Sequence, residues 1–499
     1  MPALIPLSPA ASHFRPVPLA ENRRRPITPP LGRPPRVHLW HIGCQMNEAD
    51  REQLAEQLAE IGCVPEVPLD DADLAIIISC AVRQNAEQKV YGRFRELMRW
   101  KGARAGRAIA LTGCMGVEHG SALLDRLPGL DYLFDVREPE GFLARLQALW
   151  SGDLDGPLPL PASDRLSAYV PVIGGCNEMC SYCIVPFVRG REGSRPVGAV
   201  VEDVHRLVAR GVREVTLLGQ NVNSYSDPDS GAGLPELMAA VDAVPGLWRQ
   251  RFLTSHPRNA SPALFAAIRD LPTACEQLHL PVQAGDDALL RRMRRVYTVG
   301  DYRAIVERAR ASVPGLALST DVIVGFCGET EESFARSCDL VATAGFKNSY
   351  IFKYSARPGT KGHELYADDV PEEVKKRRNN DLLAIQNRVS LADHRGRIGR
   401  TVEVLVEGPS KTASKHERST GPVQLTGRTR TDHIVVFNGN ERLVGQTVPV
   451  IVEEATAFTL FGTVATAEQI GVDPSPACAD RPEDVRLPTG SKRLSLPTL

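Results

Sequence analysis

The chain has 499 residues, of which 43% are hydrophobic and 24% are charged, and its formal net charge is -1. These totals are typical of a soluble globular protein with about two to four domains, and they exclude a global field that would attract nucleic acid. The sequence has no run of roughly 18 apolar residues that could span a membrane, and its start does not resemble a secretion signal. Its 11 cysteines, an odd number, argue against a disulfide framework and favour metal ligands or buried core in a reducing compartment. We therefore expect a cytoplasmic protein without membrane contact.

The first elements in chain order predict a disordered tail followed by an α/β domain. Residues 1–35 are rich in Pro and Arg and cannot bury enough apolar surface to fold. In residues 36–150, apolar runs such as V-H-L-W-H-I-G and L-A-I-I-I alternate with stretches of helical spacing. Strands that alternate with helices imply a parallel sheet, and the Gly/Pro-rich stretch 151–167 that follows indicates a linker.

The remaining chain predicts two more domains and a second tail. Residues 168–399 repeat strand–helix pairs, a barrel-like α/β pattern that is too short for eight units. Residues 400–466 change to short strands with Gly turns, which predicts a small all-β barrel, and residues 467–499 return to the composition of a disordered tail. The predicted strands of the barrel-like unit are Glu214–Leu218, Gln250–Thr254, Gln277–Pro281, Leu316–Val324 and Asn348–Tyr354.

The strongest local signal is the segment G-G-C-N-E-M-C-S-Y-C-I-V-P, which spaces Cys176, Cys180 and Cys183 as C-x3-C-x2-C. Three thiolates on one loop can ligate three irons of a 4Fe–4S cube, which leaves the fourth iron open for a bound small molecule. Structural zinc prefers four ligands, and no fourth Cys or His follows closely. Three unrelated buried cysteines are the other alternative, which this spacing beside Tyr182 disfavours.

A second cysteine set lies in the first α/β domain, where Cys44, Cys80 and Cys114 each follow a predicted strand. The carboxyl ends of parallel strands share one edge of a sheet, so we expect these three thiols to converge in space. A buried structural cysteine is the default interpretation of each one alone, but the repeated position at strand ends favours a second cluster. The cysteines interpreted as core, incidental or tail residues are Cys63, Cys275, Cys338 and Cys478.

These motifs, taken together, resemble those of the radical S-adenosylmethionine methylthiotransferases over nearly all of residues 36–466. The resemblance implies three domains: an N-terminal parallel-sheet α/β domain with an auxiliary cluster, a partial (βα)6 radical SAM barrel, and a small C-terminal all-β barrel of the TRAM type. Within the family, the chain is most similar to the branch that modifies isopentenyladenosine in tRNA. The segments that carry the resemblance are G-C-Q-M-N-E-A-D, C-A-V-R-Q-N-A, L-L-G-Q-N-V-N-S-Y, T-S-H-P, L-H-L-P-V-Q-A-G, R-R-M-R-R-V-Y-T and Y-S-A-R-P-G-T.

The sequence departs from the family pattern at two places. Ile78, Ser79 and Cys80 stand where the family usually has N-T-C, and the cysteine is retained. The segment G-F-C-G-E-T stands where the family usually has G-F-P-G-E-T, so Cys327 replaces a proline and removes a backbone constraint near an expected cofactor site. Neither change removes a predicted cluster ligand.

The resemblance also implies the cofactors and the chemistry. Cys176, Cys180 and Cys183 would hold the 4Fe–4S cluster that binds and cleaves S-adenosylmethionine, and the resulting radical would take a hydrogen from C2 of the adenine. The other three cysteines would hold a second 4Fe–4S cluster that supplies or carries sulfur, and a second S-adenosylmethionine would give the methyl group. No side chain is assigned as a catalytic acid or base. The candidate cofactor contacts at strand ends, for which a turn or a core polar group is the alternative, are Gly219, Gln220, Ser255, His256, Gln283 and Asp321.

A tRNA partner must be held by local basic residues, because the chain as a whole is almost neutral. Two dense basic runs and several residues of the β domain are candidates for phosphate contacts, which give affinity without reading sequence. A solvated helix face is the alternative interpretation of each run. The candidates are Arg291, Arg292, Arg294, Arg295, Lys375, Lys376, Arg377, Arg378, Lys411, Lys415, Arg428 and Arg430.

The resemblance therefore predicts a monomeric transferase that adds a methylthio group to C2 of N6-isopentenyladenosine next to the anticodon of tRNA. A flavodoxin- or ferredoxin-like electron donor and a sulfur source are the other expected partners. Sister branches that act on N6-threonylcarbamoyladenosine in tRNA, or on an aspartate of a ribosomal protein, are alternatives with the same chemistry. A distant alternative is a non-catalytic, zinc-bearing RNA-binding protein, which leaves the barrel pattern beside a three-ligand loop unexplained.

Overall fold

The computed structural model describes residues 33–81, 84–149, 165–410 and 423–465, which form three units in chain order. The predicted tails, 1–35 and 467–499, lie almost wholly outside these residues, as does most of the predicted linker 151–167. Within the described ranges, no helix has the length and apolar character needed to cross a membrane.

The first unit is a parallel four-stranded sheet covered by helices. Its elements are β1 (Val37–His41), α1 (Gln45–Glu60), β2 (Leu74–Ser79), α2 (Gln84–Gly102), β3 (Ala108–Gly113), α3 (Cys114–His119), α4 (Ala122–Arg126), β4 (Tyr132–Leu133) and α5 (Glu140–Leu149). The strand order is β1-β2-β3-β4, and every residue of β2 is buried. Alternate residues of β2 enter different cores, since Ile76 packs with Leu54 and Phe142 whereas Ile77 packs with Phe94. The sheet is therefore covered on both faces, as is usual for parallel sheets.

The second unit is a partial barrel of six parallel strands. Its elements are β5 (Ser167–Pro171), β6 (Ile173–Gly174), α6 (Val185–Val188), β7 (Gly193–Ser194), α7 (Val197–Ala209), β8 (Glu214–Leu218), α8 (Leu234–Asp242), β9 (Arg249–Phe252), α9 (Pro262–Asp270), β10 (Gln277–His279), α10 (Asp287–Arg292), α11 (Val299–Ser312), β11 (Ala317–Val324), α12 (Glu331–Ala344), β12 (Asn348–Lys353), α13 (Lys361–Leu365) and α14 (Glu372–Arg395). The barrel strands pair in the orders β5-β8-β9 and β10-β11-β12, and β6 and β7 form a separate short ribbon. A single bridge between Gln250 and Ala274 lies between the two three-stranded sheets. The carboxyl ends of all six strands therefore face one end of the barrel, where α/β barrels place their active sites.

The five strands predicted for this unit are present, with ends that differ by a few residues. Sequence analysis missed the sixth strand, β5, whose residues S-A-Y-V-P alternate between more and less exposed positions. A short edge strand that ends in proline lacks the continuous apolar run of a central strand. It was therefore not recognised at the start of the predicted barrel-like unit, and its first residue, Ser167, was assigned to the linker.

The third unit is a closed five-stranded barrel with the strand order β13-β14-β15-β17-β16. Its elements are β13 (Thr401–Pro409), β14 (Val423–Thr429), β15 (Ile434–Gly439), β16 (Thr447–Ala455) and β17 (Leu460–Val464). The strands cross closely at Gly462, where a Cβ atom would lie only 1.9 Å from the carbonyl oxygen of Ile451. The predicted fold class, a parallel α/β domain followed by a partial barrel and a small β barrel, is confirmed.

Candidate active site

The first cysteine set lies at the carboxyl-end edge of the four-stranded sheet. Cys44 follows β1, Cys80 follows β2 and Cys114 begins α3 directly after β3, and these three strands are neighbours. Burial is the largest cause that raises the pKa of Cys114, and the nearby thiol of Cys44 adds to the rise. The topology therefore brings together three thiols that lie far apart in sequence, as expected.

Two glycines allow these strand ends to approach each other. Gly43 and Gly113 have positive φ angles of 134° and 88°. A Cβ atom on Gly43 would lie 2.6 Å from the Cβ atom of Cys80, and one on Gly113 would lie 2.4 Å from the carbonyl oxygen of Ser79. A larger residue at either position would push neighbouring strand ends apart, so glycine is required where the sheet edge gathers its cysteines.

The second cysteine set lies in the loop between β6 and α6. Cys176, Cys180 and Cys183 are partly exposed and all line one cavity. Burial is the largest cause that raises the pKa of Cys176 and of Cys183 to about 12, and the neighbouring thiols add to the rise. Three sulfur donors on one short loop fit three irons of a 4Fe–4S cluster, which bind the thiols in their deprotonated form.

The tip of this loop is anchored by backbone contacts from two other segments. The amide of Ser181 donates to the carbonyl oxygen of Met293 at 3.0 Å, and its hydroxyl donates to the carbonyl oxygen of Arg292 at 2.8 Å. The amide of Gly362 donates to the carbonyl oxygen of Ser181 at 2.5 Å. The residue between two of the cysteines is therefore held on both sides, so the protein fixes the loop conformation by itself.

Both cysteine sets border a cavity of about 790 Å³ inside the partial barrel. Cys44 of the first set and all three cysteines of the loop are in its wall. The six predicted cofactor contacts also line it: five follow the carboxyl ends of β8, β9 and β10, and Asp321 lies within β11. These residues are Gly219, Gln220, Ser255, His256, Gln283 and Asp321.

Three of the predicted contacts bury polar atoms without a partner among the described residues: Oε1 of Gln220, Oγ of Ser255 and Nε2 of His256. An unsatisfied buried polar atom costs about 1–3 kcal/mol, so these atoms fit the polar groups of a bound ligand. Burial, together with the charges of Arg295 and Arg258, lowers the pKa of His256 to about 3. The imidazole is therefore neutral, and because its Nδ1 accepts from the amide of Arg258 at 3.2 Å, its Nε2 carries the proton and can donate to a ligand.

The backbone at the cavity wall adopts uncommon conformations. Thr254 follows β9 with φ of 66°, and Gln283 follows β10 with φ of 73°. The amide of Gln283 donates to the carbonyl oxygen of Asp321, and the amide of Ile323 donates to that of Gln283, both at 2.9 Å. Strained residues of this kind cluster at ligand sites, because the surrounding structure must hold them in place.

Sequence analysis did not assign Asn221 and Glu178 to the cavity wall, which Tyr182 also lines. Asn221 directly follows a predicted contact and buries its Oδ1 without a partner among the described residues. Glu178 lies inside the C-x3-C spacing and pairs with Arg258 at 3.3 Å. Their positions beside the motifs were a signal, but sequence alone does not show which side chains turn inward.

The turn between β14 and β15 is docked on the strands at the opposite end of the cavity. Arg251 on β9 donates to the carbonyl oxygens of Thr429 and Arg430, each at 2.7 Å. Arg249 on the same strand donates to the carbonyl oxygen of Arg428 at 2.7 Å. The third unit is therefore bound to the barrel through its backbone.

Asp432, in the same turn, forms ion pairs with one cation of the second unit and one of the third. Its carboxylate pairs with Lys347 at 2.8 Å and with Arg428 at 2.6 Å. Burial alone would raise the pKa of Asp432, but the surrounding cations hold it far below its usual range. Asp432 and Arg428 line the cavity, so this turn closes its amino end.

The prediction of phosphate contacts does not hold for the three basic residues whose side chains are buried. Arg295 contacts the cysteine loop, Lys375 pairs with Asp368 at 2.6 Å, and Arg378 pairs with Glu329 at 2.9 Å. These charges have protein partners and no access to a phosphate. Each of the two basic runs therefore contains both buried and exposed side chains.

In the third unit, Arg428 pairs with Asp432 and Arg430 pairs with Glu276 at 2.9 Å, and their phosphate contacts stay a prediction. Lys411 and Lys415 lie outside the described residues. Arg292 is partly buried over the ring of Tyr366 at 4.4 Å. The candidates that are exposed are Arg291, Arg294, Lys376 and Arg377, the last of which pairs with Glu331.

Cys327 is fully buried, and polar contacts constrain the loop that lacks the family's proline. The carboxylate of Glu329 accepts from the amide of Gly325 at 2.6 Å, and Asp369 accepts from the amide of Gly328 at 2.7 Å. Of the cysteines interpreted as core or incidental, Cys63 and Cys275 are buried and Cys338 is partly buried, whereas Cys478 lies outside the described residues.

Known families match all three units. The domain described as Uncharacterized protein family UPF0004 matches residues 36–135, the Radical SAM superfamily matches residues 170–341, and the TRAM domain matches residues 395–465. The solved structure of the radical S-adenosylmethionine methyltransferase TsrM from Kitasatospora setae is similar in fold, with a TM-score of 0.50 at 14% identity over 66% of this chain and 77% of that chain.

Full-length relatives are more similar. A tRNA-2-methylthio-N(6)-dimethylallyladenosine synthase of Rhodopirellula baltica is 38% identical over 87% of this chain and 97% of that protein. The synthase of the same name from Carboxydothermus hydrogenoformans is 41% identical over 85% of this chain and 97% of that protein. The chain therefore belongs to the radical S-adenosylmethionine methylthiotransferase family that includes these synthases.

Proposed function

We propose that the protein adds a methylthio group to C2 of N6-isopentenyladenosine next to the anticodon of tRNA. One observation carries the proposal: the three cysteines of the loop and Cys44 of the other set line one cavity, whose wall buries polar atoms without hydrogen-bond partners among the described residues. One cluster suffices for making a radical, whereas the transfer of sulfur gives a reason for the second. The similar synthases are named for this modification.

The cofactors are two 4Fe–4S clusters and S-adenosylmethionine, which supply the radical, the sulfur and the methyl group when they are bound. We assign the three cysteines of the loop to the cluster that binds S-adenosylmethionine. Cys44, Cys80 and Cys114 hold the other. Because Cys44 lines the cavity while Cys80 and Cys114 are buried in the sheet edge, the second cluster meets the cavity on the side of Cys44.

The polar wall of the cavity binds S-adenosylmethionine in this proposal. Gln220, Ser255 and His256 offer an acceptor, a hydroxyl and a neutral imidazole, each buried and without a partner among the described residues. Asp321 adds a carboxylate on β11. Such a set orients a ligand that carries amino, carboxylate and hydroxyl groups, and we assign none of these side chains as a general acid or base on the adenine.

The protein keeps water away from the reacting groups by closing the cavity at two sides. On the side of the first unit, Met46 and Ala49 of α1 pack against Leu218 at the end of β8, with Tyr169 and Leu253 beside them. At the amino end, the turn between β14 and β15 closes the barrel. A dry cavity protects a carbon radical from side reactions.

The tRNA is gripped by exposed cations in this proposal, chiefly Arg291, Arg294 and Lys376. The protein acts as a monomer in the cytoplasm, where tRNA is modified. It receives electrons from a flavodoxin- or ferredoxin-like protein and sulfur from a separate source.

The proposal is tested by mass spectrometry of tRNA nucleosides from a strain that lacks the gene. We expect 2-methylthio-N6-isopentenyladenosine to disappear and N6-isopentenyladenosine to accumulate. The wild-type gene and a Cys338→Ala variant should restore the modification, because Cys338 lies outside both sets. Cys44→Ala and Cys180→Ala should not restore it.

Two outcomes would contradict the proposed substrate. Loss of 2-methylthio-N6-threonylcarbamoyladenosine instead would assign the protein to a sister branch. Unchanged tRNA nucleosides together with an unmodified ribosomal aspartate would assign it to the branch that acts on protein.

A further inference from the structure

Each cysteine set is contacted by one buried arginine. At the first set this residue is Arg189, which follows α6 of the second unit and reaches across to the first unit. Its guanidinium pairs with Asp50 at 2.6 Å, and the two side chains are only 9% and 11% exposed. The charge of the same guanidinium interacts with Cys114 and Cys44, and Val188, the residue before it, packs against Cys114.

At the second set the corresponding residue is Arg295, which is 7% exposed. Its Nη1 lies 3.4 Å from Sγ of Cys180. Its Nη2 donates to the carbonyl oxygen of Pro281 at 2.9 Å, and its Nε donates to the hydroxyl of Tyr297 at 2.7 Å. Two of its nitrogens are thus fixed by the protein, so the third is held in position against the sulfur.

The charge of Arg295 has no carboxylate partner among the described residues. The groups that interact with it are two tyrosines, Tyr182 and Tyr297, and Cys180. A buried guanidinium loses its hydration and needs a nearby anion to compensate. A cluster ligated by thiolates supplies this negative charge at the sulfur that Arg295 faces.

Arg189 also connects the two sets. Arg189 is the sixth residue after Cys183, and Asp50 is the sixth residue after Cys44, on α1. Around them, Cys114 packs with Ile184 and Val188 in one small apolar cluster. The ion pair therefore connects the segment that follows the cysteine loop to α1, the helix that follows Cys44.

We propose that Arg189 and Arg295 are positioning residues, each of which holds a positive charge beside the ligand cysteines of one cluster and raises the reduction potential of that cluster. The inference rests on the assignment of the six cysteines to two clusters. Reduction adds negative charge to a cluster, and a fixed cation with a hydrogen bond to sulfur stabilises the reduced form. Each arginine acts on its own cluster, because each contacts a cysteine of one set.

The test measures midpoint potentials by EPR during redox titration, in two backgrounds that each retain one cluster. The first background carries Cys176/Cys180/Cys183→Ala and the second carries Cys44/Cys80/Cys114→Ala. Iron content should be about four per chain in each background, the value for one 4Fe–4S cube. A value near zero in the first background would overturn the assignment of clusters itself, independently of the arginines.

In the first background we expect Arg189→Gln to lower the potential, because it removes the charge and keeps an N–H donor that can bond to Asp50. Asp50→Asn should raise it, because the cation then acts on the cluster without its counter-ion. Arg189→Lys should keep most of the wild-type potential. Arg295→Gln should leave this potential unchanged.

In the second background the pattern is reversed: Arg295→Gln should lower the potential and Arg189→Gln should leave it unchanged. If both glutamine variants retain iron and neither changes the potential of its own cluster, the inference is wrong and the cluster assignment stands. If Arg189→Gln loses iron, the rise expected for Asp50→Asn and the nearly unchanged potential expected for Arg189→Lys still decide the question. Shifts of both potentials by either arginine would overturn the pairing of one arginine with one cluster.

Discussion

Two buried serines differ in whether their hydroxyl has a hydrogen-bond partner inside the protein, and this difference indicates whether each serves ligand binding or stability. Ser255 lines the cavity, and its hydroxyl has no partner among the described residues. Ser349 lies on β12, and its hydroxyl donates to Oε1 of Gln386 at 2.6 Å. The first hydroxyl contributes nothing to folding through hydrogen bonds, whereas the second contributes about 1 kcal/mol.

We therefore predict opposite effects for the two alanine variants. Ser255→Ala should weaken the binding of S-adenosylmethionine roughly fivefold, the loss of about 1 kcal/mol, and should not lower the thermal unfolding temperature. Ser349→Ala should lower the unfolding temperature and leave the affinity unchanged. Equilibrium dialysis and anaerobic thermal unfolding of cluster-loaded protein measure the two quantities. A lower unfolding temperature for Ser255→Ala with unchanged affinity would make this hydroxyl structural.

At the level of single residues, the sequence predicted the cavity better than the surface. The six residues predicted as cofactor contacts all line the cavity, because the carboxyl ends of parallel strands converge, a rule that needs only the order of strands. The basic run that contains Arg294 and Arg295 reads as uniform, yet one side chain is exposed and the other is buried. The carbonyl partner of Arg295 is Pro281, and no local pattern indicates that contact.

Among the elements, the turn between β14 and β15 depends on a buried histidine. His433 is fully buried, and its Nε2 lies 2.7 Å from Asp393 on α14 while its Nδ1 lies 2.9 Å from the hydroxyl of Thr431. Burial, with Lys347 and Arg397 nearby, lowers the pKa of His433 to about 4. Burial alone would raise the pKa of Asp393, but the hydrogen bond and charge of His433 lower it to about 2.

The lowered pKa of His433 predicts that acid lowers the stability of the folded protein. The unfolded chain protonates the histidine near pH 6.5 and the folded chain only near pH 4, so stability is present above about pH 6.5 and is lost as the pH falls toward 4. His433→Gln cannot take up this proton, so it should lose less stability between about pH 7.5 and about pH 5, by on the order of 2 kcal/mol. Anaerobic thermal unfolding at the two pH values measures the difference.

The matched control is His205→Gln, which changes an exposed histidine on α7. It should follow the wild type at both pH values. If His433→Gln also follows the wild type, then protonation of His433 is not what weakens the protein in acid.

The elements themselves were largely predictable, but their docking was not. The alternation of strands and helices follows from apolar periodicity, which is local. The docking of the third unit depends on pairs such as Arg251 with the carbonyl oxygen of Thr429, and Lys347 with Asp432, which are far apart in sequence. Composition shows that the charges are balanced, but it does not show which charge meets which.

For the whole molecule, a net charge of -1 means that tRNA affinity must come from where the cations lie and not from how many there are. Many arginines are neutralised inside the protein, such as Arg428 by Asp432 and Arg378 by Glu329. Arg291 and Arg294 are exposed and adjoin the buried Arg295 at the cysteine loop. They are therefore placed to contact phosphates of an RNA that brings its base to the cavity.

We predict that Arg291→Gln combined with Arg294→Gln weakens tRNA binding and reduces its dependence on salt. Each lost phosphate contact should lower the slope of log K against log salt concentration by about 0.7–0.9. The matched control combines Arg308→Gln on α11 with Arg388→Gln on α14, which removes the same charge from exposed positions elsewhere on the barrel. Binding measured over a series of salt concentrations should show a smaller slope for the first pair and the wild-type slope for the control. Equal losses in both pairs would mean that overall charge, and not the surface beside the cysteine loop, holds the tRNA.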